Sequence, residues 1–392
     1  MPNNNSLGAA REAKNDEFYT QYADIQKEIN AYLDFNPDVF RGKTVLLPCD
    51  DPEWSNFTKF FAQNFQLLGL KKLISTSYAP ESKKYKVAYE PTLFETQQPY
   101  YDVDKSKTHG KIFVLTQDLT GDNRIDINDL EWQYLEGDGD FRSKEIQKLR
   151  DEADIIVTNP PFSLFREFMA WLMASGKKFV VIGNMNAITY KEIFPLLKDN
   201  KVWLGNGFQN GNAFFRVEAP REGYSTGVYD ENTNLVKFRN CCWFTNIDHG
   251  RRHQPLKLMT MAENYKHSKH KEIRERKSYE SYDNYDAIDI PYTDAIPSDF
   301  DGVMGVPISF LDKYCPEQFE IAGISKTWYG FANKTYPEQI QHSKDGKESR
   351  VTKLNDGPVI KLSTIPSGET YYTIGDEIYT QEYARIFIRK KY

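Results

Sequence analysis

The hydrophobic positions in the first half of the chain follow two alternating periods. Apolar residues at 22, 25, 29 and 32 are spaced three and four apart, which is the spacing of one helix face. Short continuous apolar runs, such as Ile155-Ile156-Val157, are typical of strands buried on both faces. The predicted helices cover 22–32, 56–68, 143–151 and 163–174, and the predicted strands cover 44–47, 73–76, 112–115, 155–157 and 179–182.

The alternation of strands and helices predicts an α/β fold with a parallel sheet covered on both faces. Three later segments, 201–204, 213–217 and 241–244, are expected to add an antiparallel edge to this sheet. Beyond Asn246 the sequence becomes basic, rich in tyrosine and interrupted by proline, without clear alternation of strands and helices. We therefore predict one domain over 1–250 and a second over 251–392.

The composition limits the class of protein. The chain has 392 residues, of which 40% are hydrophobic, as is ordinary for a globular protein. No segment approaches the roughly 18 apolar residues of a membrane span, and the polar start lacks the apolar core of a signal peptide. The four cysteines form no Cys-x-x-Cys pair, so we expect reduced thiols. These features predict a cytoplasmic protein with no membrane partner. No obligatory protein partner is evident in the sequence, which does not encode the oligomeric state; a monomer is our preferred expectation.

Charge is distributed unevenly. The net charge is -6, yet residues 251–277 contain nine Lys or Arg against three Glu, a local excess of six positive charges. Phosphates respond to the local field, so this segment is a candidate for nucleic-acid binding. A solvated helix face or a loop is the competing interpretation. The residues predicted to contact DNA are Arg251, Arg252, Lys269, Lys271, Arg274 and Arg276.

The sharpest motif is Asn159-Pro160-Pro161-Phe162, which follows a buried strand and precedes a predicted helix. In an open parallel sheet this position lies at the carboxyl edge, where ligands bind. The side-chain oxygen of Asn159 and the carbonyl of Pro160 can accept the two hydrogens of an aromatic amine and direct its lone pair at a methyl donor. The prolines stiffen the turn, and Phe162 can stack on a base rotated out of a duplex.

The competing interpretation of this motif is an ordinary loop, because Asn and Pro are common turn residues. A buried strand before the motif, an aromatic fourth residue and a helix after it favour the functional interpretation. We therefore predict Asn159, Pro160, Pro161 and Phe162 as catalytic residues.

A second turn combines Pro48, Cys49, Asp50 and Asp51 between a strand and a helix. Its carboxylates can hold the amine and the ribose hydroxyls of S-adenosylmethionine. The start of the following helix, with Ser55 or Asn56 near its cap, can meet the methionine carboxylate. The glycine-rich sequence usual at such a turn is absent. Helix capping by the Asp residues is the competing interpretation.

Two further segments are candidates for cofactor binding. Asp140 can bond the amine of the cofactor adenine, and Phe141 can lie on the adenine ring; a flexible acidic turn is the alternative. Near the start of the chain, Tyr19 and Thr20 can close over the cofactor carboxylate through a hydroxyl and backbone N–H groups. Ordinary helix capping by Thr20 competes with that role.

An acidic stretch imitates a calcium loop without fulfilling it. Asp118, Thr120, Asp122 and Asp126 have suitable spacing, but Asn123 replaces the turn glycine, and Asp129 replaces the bidentate Glu. The six histidines show no zinc-binding pattern. We therefore predict no metal site.

Together these residues resemble the EcoRI-type adenine-specific DNA methyltransferases. The similarity covers most of the chain, and it rests on short motifs that occur in a fixed order. The matching segments lie at 15–20, 50–52, 55–57, 158–163, 285–288, 301–307, 316–320 and 385–389.

The resemblance implies a Rossmann-like methyltransferase core, S-adenosyl-L-methionine as donor, flipping of an adenine in double-stranded DNA, and a C-terminal target-recognition region. It assigns Asn159, Pro160 and Phe162 to catalysis and Asp50 and Asp51 to the cofactor. The DNA sequence that is recognised does not follow from it. Two alternatives stay open: a methyltransferase acting on RNA or on a protein amide, and a nucleic-acid-binding protein that has lost its cofactor site.

Overall fold

A computed structural model describes residues 19–50, 55–79, 96, 101–122, 125, 129–208, 212–217 and 228–391. The chain divides into two compact units. The first unit comprises Met1–Met185 and Val202–Gly250, and the second comprises Asn186–Lys201 and Arg251–Tyr392. The division therefore places residues 186–201 with the C-terminal part of the chain.

The first unit contains both helices and strands. Its helices are α1 (Tyr22–Phe35), α2 (Asn56–Gln63), α3 (Phe65–Leu68), α4 (Lys105–Thr108), α5 (Lys144–Glu152) and α6 (Phe165–Ser175). Its strands are β1 (Tyr19–Thr20), β2 (Thr44–Leu47), β3 (Lys72–Thr76), β4 (Lys111–Leu115), β5 (Glu131–Tyr134), β6 (Ile155–Thr158), β7 (Lys178–Asn184), β8 (Trp203–Leu204), β9 (Ala213–Arg216), β10 (Tyr229–Asp230), β11 (Leu235–Phe238) and β12 (Cys241–Thr245).

The helices of the first unit follow the predicted apolar spacing. In α1 the residues Ile25, Ile29 and Tyr32 are buried, so one face of the helix lies in the core. The segment predicted as one helix over 56–68 forms two helices. Asn64 separates them, and its side-chain amide donates to the carbonyl of Phe60 (2.8 Å). Gly69 ends α3 with φ +62°, a conformation that favours glycine.

The large sheet has eight strands in the order β5-β4-β3-β2-β6-β7-β12-β8. Its central strands β3, β2, β6 and β7 are parallel, as predicted. The predicted antiparallel edge is confirmed for β12 and β8. The expectation of a parallel sheet is wrong at β4, which runs antiparallel to β3, because an apolar run does not encode strand direction.

The predicted placement of 213–217 in the large sheet is also wrong. Strand β9 belongs instead to a separate four-stranded sheet with the order β1-β9-β11-β10, in which all pairs are antiparallel. This small sheet pairs Thr20 with Phe215. It therefore joins the start of the described chain to a segment almost two hundred residues later.

Both faces of the large sheet are covered, because all four residues of β2 and all four of β6 are buried. One hydrophobic core packs α1 and α2 against β2, β6 and β7 through Ile29, Phe61, Val45, Val157 and Ile182. The architecture is a mixed α/β sheet with parallel strands at its centre, so the predicted α/β class is confirmed.

The second unit is mostly β structure. Its helices are α7 (Phe194–Lys198), α8 (Met261–His267) and α9 (Lys271–Arg276). Its strands are β13 (Ala287–Asp289), β14 (Val303–Pro307), β15 (Phe319–Ile324), β16 (Gln339–His342), β17 (Glu348–Val351), β18 (Val359–Leu362), β19 (Tyr371–Ile374), β20 (Glu377–Gln381) and β21 (Arg385–Lys390). They form one sheet ordered β13-β14-β21-β15 and another ordered β17-β16-β19-β20-β18.

A buried ion pair lies in the second unit. The Arg385 guanidinium donates to Asp289 (2.9 Å) and to Glu382 (3.1 Å), and the Tyr282 hydroxyl donates to the same Asp289 oxygen (2.5 Å). The pairing offsets part of the cost of burying Arg385 and Asp289, each 6% exposed. Among the helices that the structure describes, none is long and apolar enough to cross a membrane.

Candidate active site

The candidate site lies where the parallel strands β2, β3 and β6 end. Because these strands are neighbours, their carboxyl ends meet at one edge of the sheet. The turn after β2 carries Pro48, Cys49 and Asp50, and the loop after β6 carries the residues 159–162. Two motifs that are more than a hundred residues apart in sequence are thereby brought together.

The turn after β2 places Asp50 inside the protein. Cys49 has φ +65°, a strained conformation for a residue other than glycine, and it stands where a glycine-rich turn was expected. Asp50 is 6% exposed. Its carboxylate accepts hydrogen bonds from the hydroxyls of Ser55 (2.9 Å) and Thr158 (2.7 Å). Asp51 lies outside the described residues.

Strand β3 holds the backbone of Asp50. The N–H of Asp50 donates to the carbonyl of Thr76 (2.8 Å), and its carbonyl accepts from the Ser75 hydroxyl (2.5 Å). Since Ser75 has one hydroxyl hydrogen, Thr58 must be the donor in its 2.8 Å contact with Ser75. The turn is therefore fixed by a hydrogen-bond chain that reaches α2.

The start of α2 connects this turn to β1. Ser55 is the N-cap residue of α2, and its hydroxyl accepts from the N–H of Phe57 (3.1 Å) while donating to Asp50. The Asn56 amide donates to the carbonyl of Thr20 (2.7 Å). Two residues predicted from separate motifs, Asn56 and Thr20, are thus in contact.

The Asn159–Phe162 loop begins directly after Thr158, the last residue of β6. Asn159 and Pro161 are half-buried, and Pro160 is buried. Phe162 starts a short 3-10 helix, Phe162–Leu164, that leads into α6. The half-buried Phe162 ring meets Phe215 and Phe238 edge-on, with centroid distances of 6.3 and 6.1 Å.

These contacts form a closed circuit around the sheet edge. Phe162 touches Phe215, Phe215 pairs with Thr20, and Thr20 is bonded to Asn56. Asn56 follows the cap residue Ser55, which is bonded to Asp50, and Asp50 is bonded to Thr158 beside the loop. The circuit includes Tyr19, the strand neighbour of Thr20, so most residues predicted for the cofactor and for catalysis lie in one region.

The third predicted segment contacts the residues that follow β3, since the Asp138 carbonyl accepts from the Ala79 N–H (2.8 Å). A side chain at Gly139 would place its Cβ 2.2 Å from the carbonyl oxygen of Ser77, so only glycine allows this close approach, and its φ of +84° agrees. Asp140 forms an ion pair with Arg142 (2.6 Å), and the hydrogen bond from Arg142 lowers the pKa of the Asp140 carboxyl. This carboxylate therefore has a local cation as partner.

Phe141 has a packing position. It is 3% exposed, and its ring lies edge-on against Phe168 (5.0 Å) and Trp171 (5.7 Å) of α6. A ring in a residue that is 3% exposed leaves little surface for a cofactor adenine. Phe141 is therefore left out of the site that we propose below.

The basic residues predicted for DNA lie in the second unit, and most have local partners. Arg251 pairs with Asp312, Lys269 with Asp294 (2.7 Å), and Lys271 with Glu275 (3.3 Å). Arg274 donates to the carbonyl of Ser268. The exceptions to this surface arrangement are Arg252, which is buried against Asn200, and Arg276, which lines a cavity of about 780 Å³.

In the acidic stretch that imitates a calcium loop, carboxylates accept hydrogen bonds from backbone N–H groups of the same stretch. Asp129 accepts from the N–H groups of Leu119 and Thr120 (both 2.8 Å), and Asp118 accepts from that of Gly121 (2.6 Å). Asp126 lies outside the described residues. Within the part of the chain that the structure describes, no group of His, Cys, Asp or Glu is arranged to hold a metal ion.

Sequence reasoning missed Thr158 and the residues Ser75 and Thr76. Each is a fully buried polar residue at the end of an apolar strand. That position was the available signal, because a buried hydroxyl needs a hydrogen-bond partner and a strand end faces the ligand edge. Phe215 and Phe238 gave no comparable signal, since aromatic residues in strands are ordinary core residues.

Comparison with known proteins identifies the family. The family model described as "Adenine-specific methyltransferase EcoRI" matches residues 6–391. The chain is 42% identical to "Type II methyltransferase M.EcoRI" of Escherichia coli over 325 residues, covering 82% of this chain and 90% of that protein. It is 34% identical to "Type II methyltransferase M.MpnI" of Mycoplasma pneumoniae, covering 80% and 83% of the two chains.

A third relative, "Type II methyltransferase M.MgeORF184P" of Mycoplasma genitalium, is 33% identical over 80% of this chain and 84% of that protein. No solved structure matches the chain. The family match spans both the loop after β6 and the second unit, so it covers the whole arrangement described above. The chain is an enzyme that belongs to the EcoRI family of adenine-specific methyltransferases.

Proposed function

We propose that this chain is a site-specific DNA methyltransferase that moves a methyl group from S-adenosyl-L-methionine to the N6 amine of adenine. Its membership of an adenine-specific family supports the reaction type. The relatives are named as type II methyltransferases, a name that favours DNA as the substrate. In this proposal the first unit is a Rossmann-like catalytic core, and the second unit is the target-recognition region.

The observation that carries the proposal is the position of the Asn159–Phe162 loop. The loop lies at the carboxyl edge of a parallel sheet, and Thr158 bonds its base to the turn that contains Asp50. Methyl transfer needs an electrophilic carbon and a nitrogen nucleophile within a few ångströms. Adjacent sites for the donor and for the target base provide that arrangement.

Two hydroxyls at this edge fit a bound donor. Thr20 and Thr76 are buried, and within the described part of the chain their hydroxyl oxygens have no hydrogen-bond partner. Leaving a buried hydroxyl unsatisfied costs about 1–3 kcal/mol, and a ligand rich in polar groups removes that cost. S-adenosylmethionine carries a carboxylate, an ammonium group and ribose hydroxyls that match these two oxygens.

We assign the donor to the turn 48–51 together with Tyr19, Thr20, Asn56 and Asp140. When bound, S-adenosylmethionine supplies a methyl group on a positively charged sulfur, which is open to nucleophilic attack. Asp50 has both carboxylate oxygens bonded to protein hydroxyls, so in this proposal it shapes the turn. Each of these oxygens can accept a second hydrogen bond, so Asp50 also remains available to the donor, together with its neighbours, Thr20 and Thr76.

The target adenine is assigned to the loop. The Asn159 side-chain oxygen and the Pro160 carbonyl accept the two N6 hydrogens, which localises the nitrogen lone pair and directs it at the methyl group. Pro160 and Pro161 hold both acceptors before the base arrives. Phe162, braced by Phe215 and Phe238, stacks on a base that has been rotated out of the duplex.

Contact with DNA phosphates is assigned to the exposed members of the basic segment. Lys269 and Lys271 have side chains that are 75% and 77% exposed. Their partners are exposed carboxylates, and exposed ion pairs are weak enough to be exchanged for phosphate contacts. Arg252 is buried and bonded to Asn200, so we assign it to the stability of the second unit.

The test is transfer of radiolabelled methyl from S-adenosylmethionine to unmethylated duplex DNA, followed by mapping of the modified base. We expect N6-methyladenine at one recurring sequence. Transfer to RNA or to protein, but not to DNA, would overturn the proposed substrate. Failure to bind the donor at all would overturn the assignment of the cofactor.

A further inference from the structure

Asp50 is an unusual donor-site residue because all four of its polar groups are bonded inside the protein. Its N–H and carbonyl are bonded to β3, one carboxylate oxygen to Ser55, and the other to Thr158. Ser55 and Thr158 are themselves 2% and 0% exposed. The carboxylate of Asp50, a residue that is only 6% exposed, therefore joins the start of α2 to the end of β6.

Thr158 stands at the junction between the two halves of the site. Its hydroxyl lies 2.7 Å from the Asp50 carboxylate and 2.5 Å from the Pro48 carbonyl. Both are hydrogen-bond acceptors, so the one hydroxyl hydrogen is shared between two points of the turn after β2, the donor turn, which is proposed to bind the methyl donor. The next residue along the chain is Asn159. One residue thereby contacts this turn through its side chain and directly precedes the loop.

We propose that Thr158 is a positioning residue that couples the donor turn to the Asn159–Phe162 loop through Asp50. The inference rests on the proposed function and extends it, because Thr158 is not among the predicted catalytic residues. The bond adds a side-chain link between the two binding sites beyond the pairing of β2 with β6. Loss of it should therefore reduce donor affinity and, more strongly, the rate of transfer, since misplacement of about 1 Å can cost a factor of 100 in rate.

The decisive variant is Thr158→Val, which keeps the shape of the side chain and removes the hydroxyl. Thr245→Val is the control, because Thr245 is also 0% exposed on a strand of the same sheet. Its hydroxyl donates to the Phe179 carbonyl (2.7 Å) and accepts from the Ile247 N–H (3.0 Å), both away from the site. Thr158→Ser restores the hydroxyl. Thr158→Ala serves as a smaller variant if the valine side chain prevents folding.

Each variant is measured for S-adenosylmethionine affinity by calorimetry and for single-turnover methyl transfer to duplex DNA. We expect Thr158→Val to weaken donor binding about 5-fold and to slow transfer roughly 10- to 100-fold. Thr158→Ser should recover most of both. Thr245→Val should lose a similar amount of thermal stability and keep both values within about twofold of wild type.

A Thr158→Val protein that matches Thr245→Val in both measurements would overturn the coupling while leaving the proposed function intact. A wild-type protein that binds the donor but does not methylate DNA would overturn the proposed function. In that case the donor affinities still decide the coupling. Combining Thr158→Val with Asp50→Asn gives a further test, because residues acting through one bond should have effects that do not add.

Discussion

The carboxyl edge of the large sheet and the basic segment 251–277 differ in how they hold their polar side chains. At the sheet edge, residues from distant parts of the sequence share hydrogen bonds, as Asp50 does with Ser55 and Thr158. In the basic segment, several charged residues pair with a carboxylate close by, such as Lys269 with Asp294 and Lys271 with Glu275. The first arrangement forms one site, and the second forms several independent contacts.

This difference follows from geometry. The carboxyl ends of neighbouring parallel strands lie at one edge of the sheet, so the polar residues that follow these strands lie close to one another. A run of basic residues has no such constraint, because successive side chains on short helices point in different directions. Position relative to a strand is therefore a better indicator of a shared site than the number of charges in a segment. Four further experiments test this comparison.

The largest effect is expected for Asn159→Ala. Removal of an acceptor that acts mainly in the transition state should lower the rate of methyl transfer about 100- to 1,000-fold, while donor affinity and melting temperature stay near those of wild type. Single-turnover kinetics and calorimetry measure both. A comparable loss of folding stability would identify Asn159 as a structural loop residue.

Phe162→Ala should have the next largest effect. Stacking of a base on an aromatic ring is worth about 1–3 kcal/mol, so capture of the flipped adenine should weaken roughly 10- to 100-fold. Phe162→Tyr keeps the ring and controls for packing against Phe215 and Phe238. Fluorescence of 2-aminopurine at the target position reports flipping. An unchanged signal in the Ala variant would remove the stacking role.

Substitutions in the basic segment should have smaller effects, and they distinguish its exposed residues from its buried one. The double variant Lys269→Gln, Lys271→Gln should lower the slope of log affinity against log salt concentration by about 2, the value for two lost phosphate contacts. Arg252→Gln should leave the slope unchanged and lower the melting temperature, because Arg252 is buried. Equal slopes in all three proteins would argue that 269 and 271 do not meet DNA.

The smallest effect, and the one most specific to the sheet edge, is expected for Thr20→Val. Because the buried Thr20 hydroxyl has no partner among the described residues, its removal should raise the melting temperature of the donor-free protein by about 2 °C. The same change should weaken donor binding about 5-fold. A variant with lower stability and unchanged donor affinity would show that the hydroxyl serves the fold.

Much of the first unit was predictable from the apolar pattern. The strand Thr44–Leu47 has the predicted bounds, and β3, β6 and β7 extend their predicted ranges by a few residues at most. Buried parallel strands are continuous apolar runs, and such runs are visible in a sequence. The pattern did not reveal that β4 runs antiparallel or that β9 joins a second sheet. Strand pairing depends on segments far away in the sequence, and an apolar run does not indicate which segment its strand pairs with.

Most residues of the candidate site were predicted from the sequence, but the contacts between them were not. Asn159, Asp50 and Thr20 were each identified from a local motif, and the structure places them around one sheet edge. Thr158 was missed, although it adjoins the strongest motif. Phe141 was assigned to the cofactor from its position after an acidic turn, whereas its ring lies against Phe168 and Trp171. Burial depends on what else packs at the same place.

The sequence by itself determined the α/β class, the order of the main strands and helices of the first unit, and the motifs that resemble those of adenine-specific methyltransferases. These properties are local, because they depend on the residues within one element and its flanking turns. Only the tertiary structure decided which carboxylates are bonded inside the protein, which arginine is buried, and that Thr158 links Asp50 to the loop at Asn159. Those properties depend on contacts between residues far apart in sequence, and a contact of that kind exists only after the strands have paired.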